Sequence, residues 1–329
     1  MVQFGRHAAA ARRIVHISDT HLVDGALLGD RYDAEANLEA ALARIALLAG
    51  GIDAMVFTGD LTDLGEPDAY VRLREMVEPV AERLGAVVVW LAGNHDERPA
   101  LRTTMLGLDA SEEPVTGVWD LRGLRLIVLD STVPGWHHGD LDERQLAWLR
   151  EQLAEPAPLG TILALHHPPL PSHVPLFDIL ELQHQDAFAD AIRGTDVRAI
   201  IAGHLHYPMS GTFAGIPVSV AAASCYTMDI ARPGDEVNGM DAGQTFNLVQ
   251  VYDDTITHAV VPVDSAEPGD FFTPEWYAEM AARTPEERRE AFSRKPPSTG
   301  PSTGPSTGSG QATEQATEQA TGQAQDRPQ

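Results

Sequence analysis

The sequence has a single cysteine and no apolar stretch long enough to cross a membrane. Because Cys225 is the only cysteine, an internal disulfide is excluded. Residues 1–13 include a short alanine run but no apolar stretch of signal-peptide length. The nearest approach to a membrane span, residues 40–57, is interrupted by charged and glycine residues. These absences predict a cytoplasmic protein without a transmembrane segment.

Positive charge is also scarce. The 329 residues include 23 Lys and Arg against 48 Asp and Glu, which gives a formal net charge of -25. Such a surface repels polyanions, and the sequence has no basic stripe, so we expect no stable binding to long nucleic acid. A hydrophobic content of 43% is nevertheless ample for a sizeable core.

The composition changes along the chain and predicts four segments. We expect an N-terminal extension over 1–12, a main globular domain over 13–265, a helical extension over 266–294 and a tail over 295–329. The tail repeats Pro-Ser-Thr-Gly and then Gln-Ala-Thr-Glu, and it lacks Leu, Ile, Val and aromatic residues. Because it has no apolar area to bury, we expect disorder. A passive tail is the simpler interpretation, and a tether or envelope-contacting segment is the alternative.

Short apolar runs alternate with helical patterns through most of the chain. The runs are nearly continuous and rich in Val, Ile and Leu, as in strands buried on both faces. They predict strands at residues 14–18, 54–58, 86–91, 124–129, 161–165 and 199–202. Apolar residues at three- and four-residue spacing predict helices at residues 34–48, 68–84, 141–153 and 185–192.

Three later apolar runs have few helices between them. They lie at residues 217–221, 246–251 and 257–263, and we expect them to form a second, more antiparallel sheet. The whole pattern predicts an α/β protein layered as helix, sheet, sheet and helix. In such proteins ligands gather at the carboxyl ends of the strands.

Five short motifs follow predicted strands, and each contains residue types that bind metals. They are Asp19-Thr20-His21, Gly59-Asp60-Leu61-Thr62-Asp63, Gly93-Asn94-His95-Asp96, His166-His167-Pro168 and Gly203-His204-Leu205-His206. A single Asp-x-His is better explained by turn or capping chemistry. Together, however, the motifs supply two carboxylates, one carboxamide and several imidazoles, which is enough to hold two divalent cations.

The second motif offers a bridging ligand. Gly59 allows a sharp turn, after which Asp60 can reach both cations through its two oxygens. Asp63 fits an orienting role, in which it holds a ligand or His95 by a hydrogen bond. A helix or turn cap is an equally good interpretation of Asp63 alone.

The third motif combines a ligand with a titratable neighbour. Asn94 offers a carbonyl oxygen to one metal. If it does, His95 faces elsewhere and is free to contact phosphate or to protonate a leaving oxygen. The alternative is a structural histidine hydrogen-bonded to Asp63 or Asp96.

The last two motifs complete the set. Because adjacent strand residues point to opposite faces, we assign His166 to a metal and His167 to packing or support. The two histidines of the fifth motif alternate and so face one side. One site then consists of Asp19, His21, Asp60 and His206. The other consists of Asp60, Asn94, His166 and His204. Mixed carboxylate and imidazole ligands suit Mn, Fe or Zn, and a hydroxide between two such ions attacks phosphate esters.

With these motifs in this order, the chain resembles the calcineurin-like metallophosphoesterases. The resemblance covers residues 14–263 and implies a four-layer α/β/β/α sandwich, in which two mixed β-sheets are flanked by helices. Within the family the chain resembles bacterial class III cyclic nucleotide phosphodiesterases. The sequence segments that show this resemblance are His-Ile-Ser-Asp-Thr-His-Leu at 16–22, Phe-Thr-Gly-Asp-Leu at 57–61, Leu-Ala-Leu-His-His-Pro-Pro at 163–169 and Ala-Gly-His-Leu-His-Tyr at 202–207.

The stretch Val-Pro-Gly-Trp-His-His-Gly at 133–139 also resembles a substrate-side loop of those enzymes. It implies that His137 contacts phosphate or nucleotide, although a solvated surface loop is an equal alternative. One departure concerns another branch of the family. Purple acid phosphatases have Tyr three residues after the bridging Asp, where this chain has Asp63, so a ferric purple phosphatase is disfavoured.

The resemblance implies a substrate class and leaves two alternatives open. We expect hydrolysis of 3′,5′-cyclic AMP and related cyclic nucleotides to monophosphates, with a small phosphate ester as partner. A broad phosphodiesterase or phosphomonoesterase, acting on 2′,3′-cyclic nucleotides or other esters, is the first alternative. A non-catalytic scaffold of the same fold is the second, although such proteins typically lose ligands and none is missing here. A homodimer is also expected from the resemblance.

Overall fold

The computed structural model describes residues 3–48, 50–233, 236–264 and 272–295. Its strands are β1 (Arg12–Ile17), β2 (Ala54–Phe57), β3 (Val87–Trp90), β4 (Gly117–Leu121), β5 (Leu124–Val128), β6 (Thr161–Ala164), β7 (Val197–Ala202), β8 (Met209–Phe213), β9 (Ile216–Val220), β10 (Thr227–Met228), β11 (Gly239–Met240), β12 (Thr245–Val251) and β13 (Ile256–Pro262). Its helices are α1 (Ala34–Ile45), α2 (Pro67–Leu84), α3 (Arg98–Leu106), α4 (Glu143–Gln152), α5 (Gln185–Ile192), α6 (Pro274–Ala282) and α7 (Pro285–Arg288).

Two large mixed sheets form the centre of the compact unit His7–Ser265. The first has the order β13-β12-β1-β2-β3, in which β1, β2 and β3 are parallel. The second has the order β4-β5-β6-β7-β9-β8, in which β5, β6, β7 and β9 are parallel and both edge strands are antiparallel. The sequence prediction of two mixed sheets is therefore confirmed.

Three apolar layers hold the sheets and helices together. The central layer joins both sheets, because Ile14 and Val56 of the first pack in one cluster with Ile162 and Ile201 of the second. A second cluster buries α1 and α2 against the outer face of the first sheet. A third buries α4 and α5 against the outer face of the second sheet. Burial of these apolar faces stabilises the four-layer order α/β/β/α.

Local sequence explains where the main helices begin and end. Pro67 occupies the first turn of α2, where its missing N–H costs nothing, and Gly85 ends that helix with a left-handed φ of 71°. The side chain of Asp33 caps α1 by accepting from the N–H of Ala36. Asp142 caps α4 in the same way, through the N–H of Gln145.

The expectation of a separate antiparallel sheet from the later strands is wrong. β12 pairs with β1 and β13 pairs with β12, so this hairpin extends the first sheet. β9 instead joins the second sheet, parallel to β7. The hairpin covers the edge of β1 that would otherwise present unpaired backbone groups. The local pattern also failed to predict α3, β4 and β8.

The second compact unit comprises Met1–Arg6 and Ala266–Gln329. Its described part contains α6, α7 and a single π-helical turn, Arg289–Ser293. Thr284 and Glu287 form a capping box at the start of α7. No helix in the described ranges is long and apolar enough to span a membrane. The disorder predicted for the tail falls on 296–329, outside the described residues.

Candidate metal centre

The five motifs follow strands whose carboxyl ends meet between the two sheets. Asp19 follows β1, Asp60 follows β2 and Asn94 follows β3, and these three strands are parallel neighbours. His166 follows β6 and His204 follows β7, which are parallel neighbours in the other sheet. Parallel pairing therefore brings the motifs to one place, as expected for α/β proteins.

The backbone is strained at most of the expected ligands. Positive φ angles occur at Asp19 (53°), His21 (42°), Asp60 (49°), His204 (73°) and His206 (58°). Asp and His tolerate this region better than most residues, but each such residue still costs about 1–3 kcal/mol. Strain at five of the seven expected ligands indicates a functional site, where surrounding structure holds side chains in a required direction.

The first group of donors contains Asp19, His21, Asp60 and His206, whose ligand atoms all lie within 4.8 Å of one another. His21 Nε2 is 3.3 Å from Asp60 Oδ2 and 3.2 Å from His206 Nε2. His206 Nε2 is also 3.5 Å from Asp19 Oδ1. The four side chains are buried. The structure thus brings together the four residues that the sequence assigned to one metal.

The second group shares Asp60 with the first. His166 Nε2 is 3.3 Å from Asp60 Oδ2 and 3.1 Å from Asn94 Oδ1. The His204 ring centroid lies 5.0 Å from that of His166. His204 Nε2 is buried and has no hydrogen-bond partner among the residues that the structure describes. An unpartnered buried nitrogen beside other donor atoms suits a ligand whose partner is a cation.

Outer hydrogen bonds orient three of the imidazoles. His21 Nδ1 is 3.0 Å from Asp63 Oδ1, and His166 Nδ1 is 2.7 Å from the carbonyl oxygen of Thr58. His206 Nδ1 is 3.1 Å from the carbonyl oxygen of Tyr226. Because each Nδ1 is engaged outward, each Nε2 faces the centre of the group. Metal-binding histidines characteristically have such partners.

Two glycines allow the motifs to approach this closely. A Cβ on Gly93 would lie 2.1 Å from the backbone nitrogen of Asp60. A Cβ on Gly203 would lie 1.8 Å from Ser18 Oγ and 2.6 Å from Asp19 Oδ2. Neither position can accept a side chain without moving an expected ligand. The glycines at the start of the third and fifth motifs are therefore part of the site.

Buried carboxylates dominate the electrostatics of the cluster. Burial opposes protonation of His21, but the hydrogen bonds that the ring donates to the carboxylates of Asp60 and Asp63 outweigh it and raise the pKa of His21 to about 10. Burial likewise opposes protonation of His166, but Asp60 outweighs it and raises the pKa of His166 to about 9. Without a cation, imidazoles must hold the protons that balance these carboxylates. A bound cation would compete with those protons, as metals do for their ligands.

The two histidines of the fifth motif remain neutral. Burial, assisted by the charge of His166, lowers the pKa of His204 to about 3. Burial, assisted by the charge of His21, lowers the pKa of His206 to about 3. Neutral imidazole is the form that binds metals. These histidines are therefore ready to act as ligands at neutral pH.

The spacing of the donor atoms fits divalent ions. A tetrahedral ion with bonds of about 2.0–2.2 Å holds its donors roughly 3.3–3.6 Å apart. The nitrogen and oxygen separations within the cluster, 3.3 Å at His21, 3.3 Å at His166 and 3.5 Å at His206, agree with that spacing. Mixed carboxylate, amide and imidazole donors suit Mn, Fe or Zn.

His95 lies beside the cluster and is half-buried. Its ring Nδ1 is 3.0 Å from the backbone carbonyl oxygen of Asp63 and 3.3 Å from Asp63 Oδ1. Its backbone N–H donates to Asp60 Oδ1 at 2.8 Å. Burial opposes protonation, but the hydrogen bond that His95 donates to Asp63 outweighs it and raises the pKa of His95. Asp63 therefore contacts both His21 and His95, as an orienting residue would.

His137 reaches the cluster from the 133–139 stretch. Asn94 Nδ2 donates to His137 Nδ1 at 2.9 Å, and the rings of His95 and His137 have centroids 5.1 Å apart. His167 has ligand atoms within 4.8 Å of those of His166 and His204, but both of its ring nitrogens have protein partners: Nε2 donates to the carbonyl oxygen of His137 at 3.1 Å, and Nδ1 is 2.8 Å from Ser131 Oγ. The structure thus places His137 beside Asn94 and His95 and gives His167 a supporting contact.

Sequence reasoning missed the role of Asp96. Its buried carboxylate accepts from the N–H groups of Leu61 and Gly93 and from the hydroxyl of Tyr70. These contacts fasten the turn that carries Asp60 to the turn that carries Asn94. The signal in the sequence was the position of Asp96 in the third motif, but the sequence analysis assigned it only as an alternative partner of His95.

The fold and this site define a calcineurin-like phosphoesterase. A family model with that description matches residues 12–208, more than half of the chain. The chain belongs to this family, and the expected resemblance and enzyme class are confirmed. Family members use a dinuclear metal centre, and the cluster described above could hold metal ions.

Two curated bacterial proteins are similar over most of their length. A probable cyclic nucleotide phosphodiesterase of Rhodococcus erythropolis is 54% identical over 250 residues, which cover 76% of this chain and 83% of that protein. A cAMP/cGMP dual specificity phosphodiesterase of Mycobacterium tuberculosis is 48% identical over 290 residues, which cover 86% and 91%. Both names agree with the class of enzyme that the sequence resembles.

Solved structures support the fold. A purple acid phosphatase from yellow lupin, Lupinus luteus, aligns with a TM-score of 0.52 over 80% of this chain and 53% of that one. Only 12% of the aligned residues are identical. This likeness concerns the layered architecture alone, because fold does not imply function.

Proposed function

We propose that this protein hydrolyses 3′,5′-cyclic nucleotides, cyclic AMP and related molecules, to nucleoside monophosphates. The observation that carries the proposal is the position of Asp60 Oδ2, which lies 3.3 Å from His21 Nε2 and 3.3 Å from His166 Nε2. One carboxylate oxygen thus faces both donor groups, as a bridge between two cations does. A bridged pair of cations is the arrangement that many phosphate-ester hydrolases use.

The proposed ligands divide as the sequence predicts. Asp19, His21, Asp60 and His206 hold one ion, and Asp60, Asn94, His166 and His204 hold the other. When bound, two such ions activate water and stabilise the charge that develops on the phosphoryl oxygens. The ions are Mn, Fe or Zn on donor chemistry, with availability in the cell deciding between them.

One of the proposed ligands and two neighbouring histidines act on the substrate. Asn94 Nδ2 is 2.9 Å from His137 Nδ1, and the rings of His95 and His137 have centroids 5.1 Å apart, so the three residues offer one polar surface for a phosphate. His95 donates a proton to the leaving ribose oxygen. Asp63 keeps His95 protonated and orients its ring, because the backbone carbonyl oxygen of Asp63 is 3.0 Å and its Oδ1 is 3.3 Å from His95 Nδ1.

The substrate class is supported by the named relatives. Both are called cyclic nucleotide phosphodiesterases, and this chain spans 83% and 91% of their lengths. The test is a panel of cyclic AMP, cyclic GMP, 2′,3′-cyclic AMP and p-nitrophenyl phosphate, measured on protein loaded in turn with Mn, Fe and Zn. We expect the highest kcat/KM for the 3′,5′-cyclic nucleotides with at least one metal.

Other outcomes of the panel would replace the proposal. A higher kcat/KM for 2′,3′-cyclic AMP or p-nitrophenyl phosphate would indicate a broad phosphoesterase. No turnover of any substrate, with no metal in the protein as isolated, would indicate a non-catalytic scaffold. We also propose a cytoplasmic location and a homodimer; fractionation and light scattering test these separately.

A further inference from the structure

The loop at residues 131–140 is fastened at its base. The N–H of Asp140 donates to the carbonyl oxygen of Ser131 at 2.9 Å and closes the loop. Gly139 pairs with the segment before α5, since its carbonyl oxygen accepts from the N–H of Gln183 at 2.7 Å. A Cβ on Gly139 would lie 2.5 Å from the ring of His167. The loop is therefore packed directly against the histidine beside the expected ligand His166.

The tip of this loop is a tight turn. The N–H of Trp136 donates to the carbonyl oxygen of Val133 at 2.9 Å, and Gly135 between them has a φ of 80°. Pro134 precedes that glycine, and Pro followed by a positive-φ Gly is the signature of a type II turn. Such a turn restricts the backbone dihedrals at the tip, where Trp136 is the last residue of the turn.

Trp136 is placed unusually for a tryptophan. Its exposed fraction is 64%, whereas the other four tryptophans are buried or half-buried. Its ring contact is with His138, at 5.5 Å between centroids, so it does not anchor the core. A large aromatic side chain left in water forfeits the apolar burial that it could provide, unless a partner covers it.

The neighbour of Trp136 faces the site. His137 Nδ1 accepts from Asn94 Nδ2 at 2.9 Å, directly beside the donor groups. Consecutive Cα atoms are about 3.8 Å apart. Trp136 therefore places an exposed aromatic side chain one residue before the histidine that contacts the expected ligand Asn94. A nucleotide likewise presents its phosphate and its base from a single ribose.

We propose that Trp136 is a specificity-determining residue that stacks on the base of the nucleotide while its phosphate lies at the metal centre. The proposal rests on the function proposed above and concerns recognition of the base, the part of the substrate that the metals do not contact. Stacking suits this chain because a protein of net charge -25 gives an anionic nucleotide no general attraction. Every base offers a π-face, so Trp136 contributes affinity for nucleotides as a class.

The test compares ligands with and without a base. Steady-state inhibition by adenosine monophosphate and by inorganic phosphate is measured on metal-loaded wild type, Trp136→Ala and Trp136→Phe. We expect Trp136→Ala to raise the KM for cyclic AMP and the Ki for adenosine monophosphate by about 5- to 100-fold, the range of base–aromatic stacking. The kcat and the Ki for phosphate stay unchanged, and Trp136→Phe keeps most of the affinity.

Tryptophan fluorescence gives a readout that does not depend on turnover. Adenosine monophosphate should quench the emission of wild type, and Trp136→Phe should remove that quenching, while inorganic phosphate has no such effect. Leu176→Ala is the matched control, because Leu176 is also exposed and lies outside the loop. It should leave KM, Ki and quenching unchanged.

Several results would overturn the inference. One is an unchanged Ki for adenosine monophosphate in Trp136→Ala, and another is an equal loss for phosphate, which would indicate general damage to the loop. Dissociation of an oligomer by the same substitution, with quenching retained in Trp136→Phe, would make Trp136 a contact between chains. If wild type lacks cyclic nucleotide turnover, the function fails, and the fluorescence titration still decides whether Trp136 binds a base.

Discussion

Arg98 and Asp130 form a buried ion pair between the first residue of α3 and the residue before the loop at 131–140. Arg98 Nε is 3.0 Å from Asp130 Oδ2, and the two side chains are 9% and 0% exposed. The guanidinium also donates to the carbonyl oxygen of Thr132 at 2.9 Å, and Asp130 accepts from the N–H of Thr132 at 2.9 Å. Since Arg98 begins α3 shortly after the third motif, the pair joins the backbone that carries Asn94 to the loop that carries His137.

Asp130→Asn should destabilise the protein by about 3–5 kcal/mol, because it leaves the guanidinium of Arg98 buried without its counter-charge. The free energy of unfolding is measured by urea denaturation. Glu113→Gln, which breaks the exposed pair between Glu113 and Arg144, is the control and should produce no measurable change. Equal small effects of both substitutions would mean that the buried pair contributes nothing to the native state.

The clustering of the expected ligands could be predicted from sequence, because the residue patterns that predict it are local. Each motif follows its own apolar run, and parallel strands bring their carboxyl ends together. The proximity of Asp19, Asp60 and Asn94 can therefore be predicted without knowing any contact between distant segments. The left-handed backbone at Asp60 and His204 could not be predicted, since turns of this kind depend on the surrounding structure that holds them.

Pairing between distant segments was the part that sequence could not provide. The strand pattern of β12 is the same whether it joins β1 or begins a new sheet, and the tertiary contact decides. The Arg98–Asp130 pair has no local signature either, because its partners come from different elements. Asp96 was visible in its motif, but its role depends on the N–H groups of another turn.

Asp60→Asn should remove both metal ions, because the same oxygen faces His21 and His166 at 3.3 Å. Asp19→Asn should remove one, since Asp19 belongs to the first donor group only. Metal content is measured by mass spectrometry after gel filtration. We expect kcat/KM to fall by more than about 100-fold in Asp60→Asn, beyond the loss caused by removing an outer partner of a ligand.

Asp190→Asn is the control for metal content, because Asp190 is exposed on α5 and remote from the donor groups. It should retain both ions and full activity. Retention of two ions by Asp60→Asn would contradict the bridging role. Loss of two ions from both Asp60→Asn and Asp19→Asn would instead show that the two sites fill together.

His95→Ala should lower kcat for cyclic AMP by about 10²- to 10⁴-fold, the usual contribution of a general acid. An aryl diester with a p-nitrophenolate leaving group needs no proton, so its hydrolysis should decline far less. Metal content should be unchanged. The control is His184→Ala, since His184 is exposed and contacts Asp140 instead of the cluster. An equal loss for both substrates would assign His95 to phosphate binding.

The pH profile offers a second measurement on His95. Its pKa lies above the ordinary value, since the hydrogen bond that His95 donates to Asp63 outweighs burial. As a general acid it must be protonated, so kcat should fall as the pH rises through that pKa. Asp63→Asn removes the charge that raises the pKa, and the alkaline limb should move to lower pH. A limb that stays in place would mean that another group supplies the proton.

His16 should make the protein sensitive to acid. It is fully buried between the sheets, where its Nε2 lies 2.9 Å from Thr58 Oγ1. Burial, assisted by the charge of His258, lowers the pKa of His16 to about 3. Between that value and the ordinary 6.5, the unfolded chain binds a proton that the native state excludes, so stability falls as the pH falls.

The share of His16 can be separated from that of the other buried histidines by substitution. At about 1.4 kcal/mol per pH unit, His16 accounts for roughly 2–3 kcal/mol of the stability lost between pH 7 and pH 4.5. The free energy of unfolding of His16→Gln should therefore fall by that much less than the wild-type value over the same pH interval. It is measured by urea denaturation of metal-free protein. His184→Gln, made at an exposed histidine, is the control for the exchange of histidine for glutamine itself. Identical slopes for wild type and His16→Gln would show that His16 is protonated without unfolding.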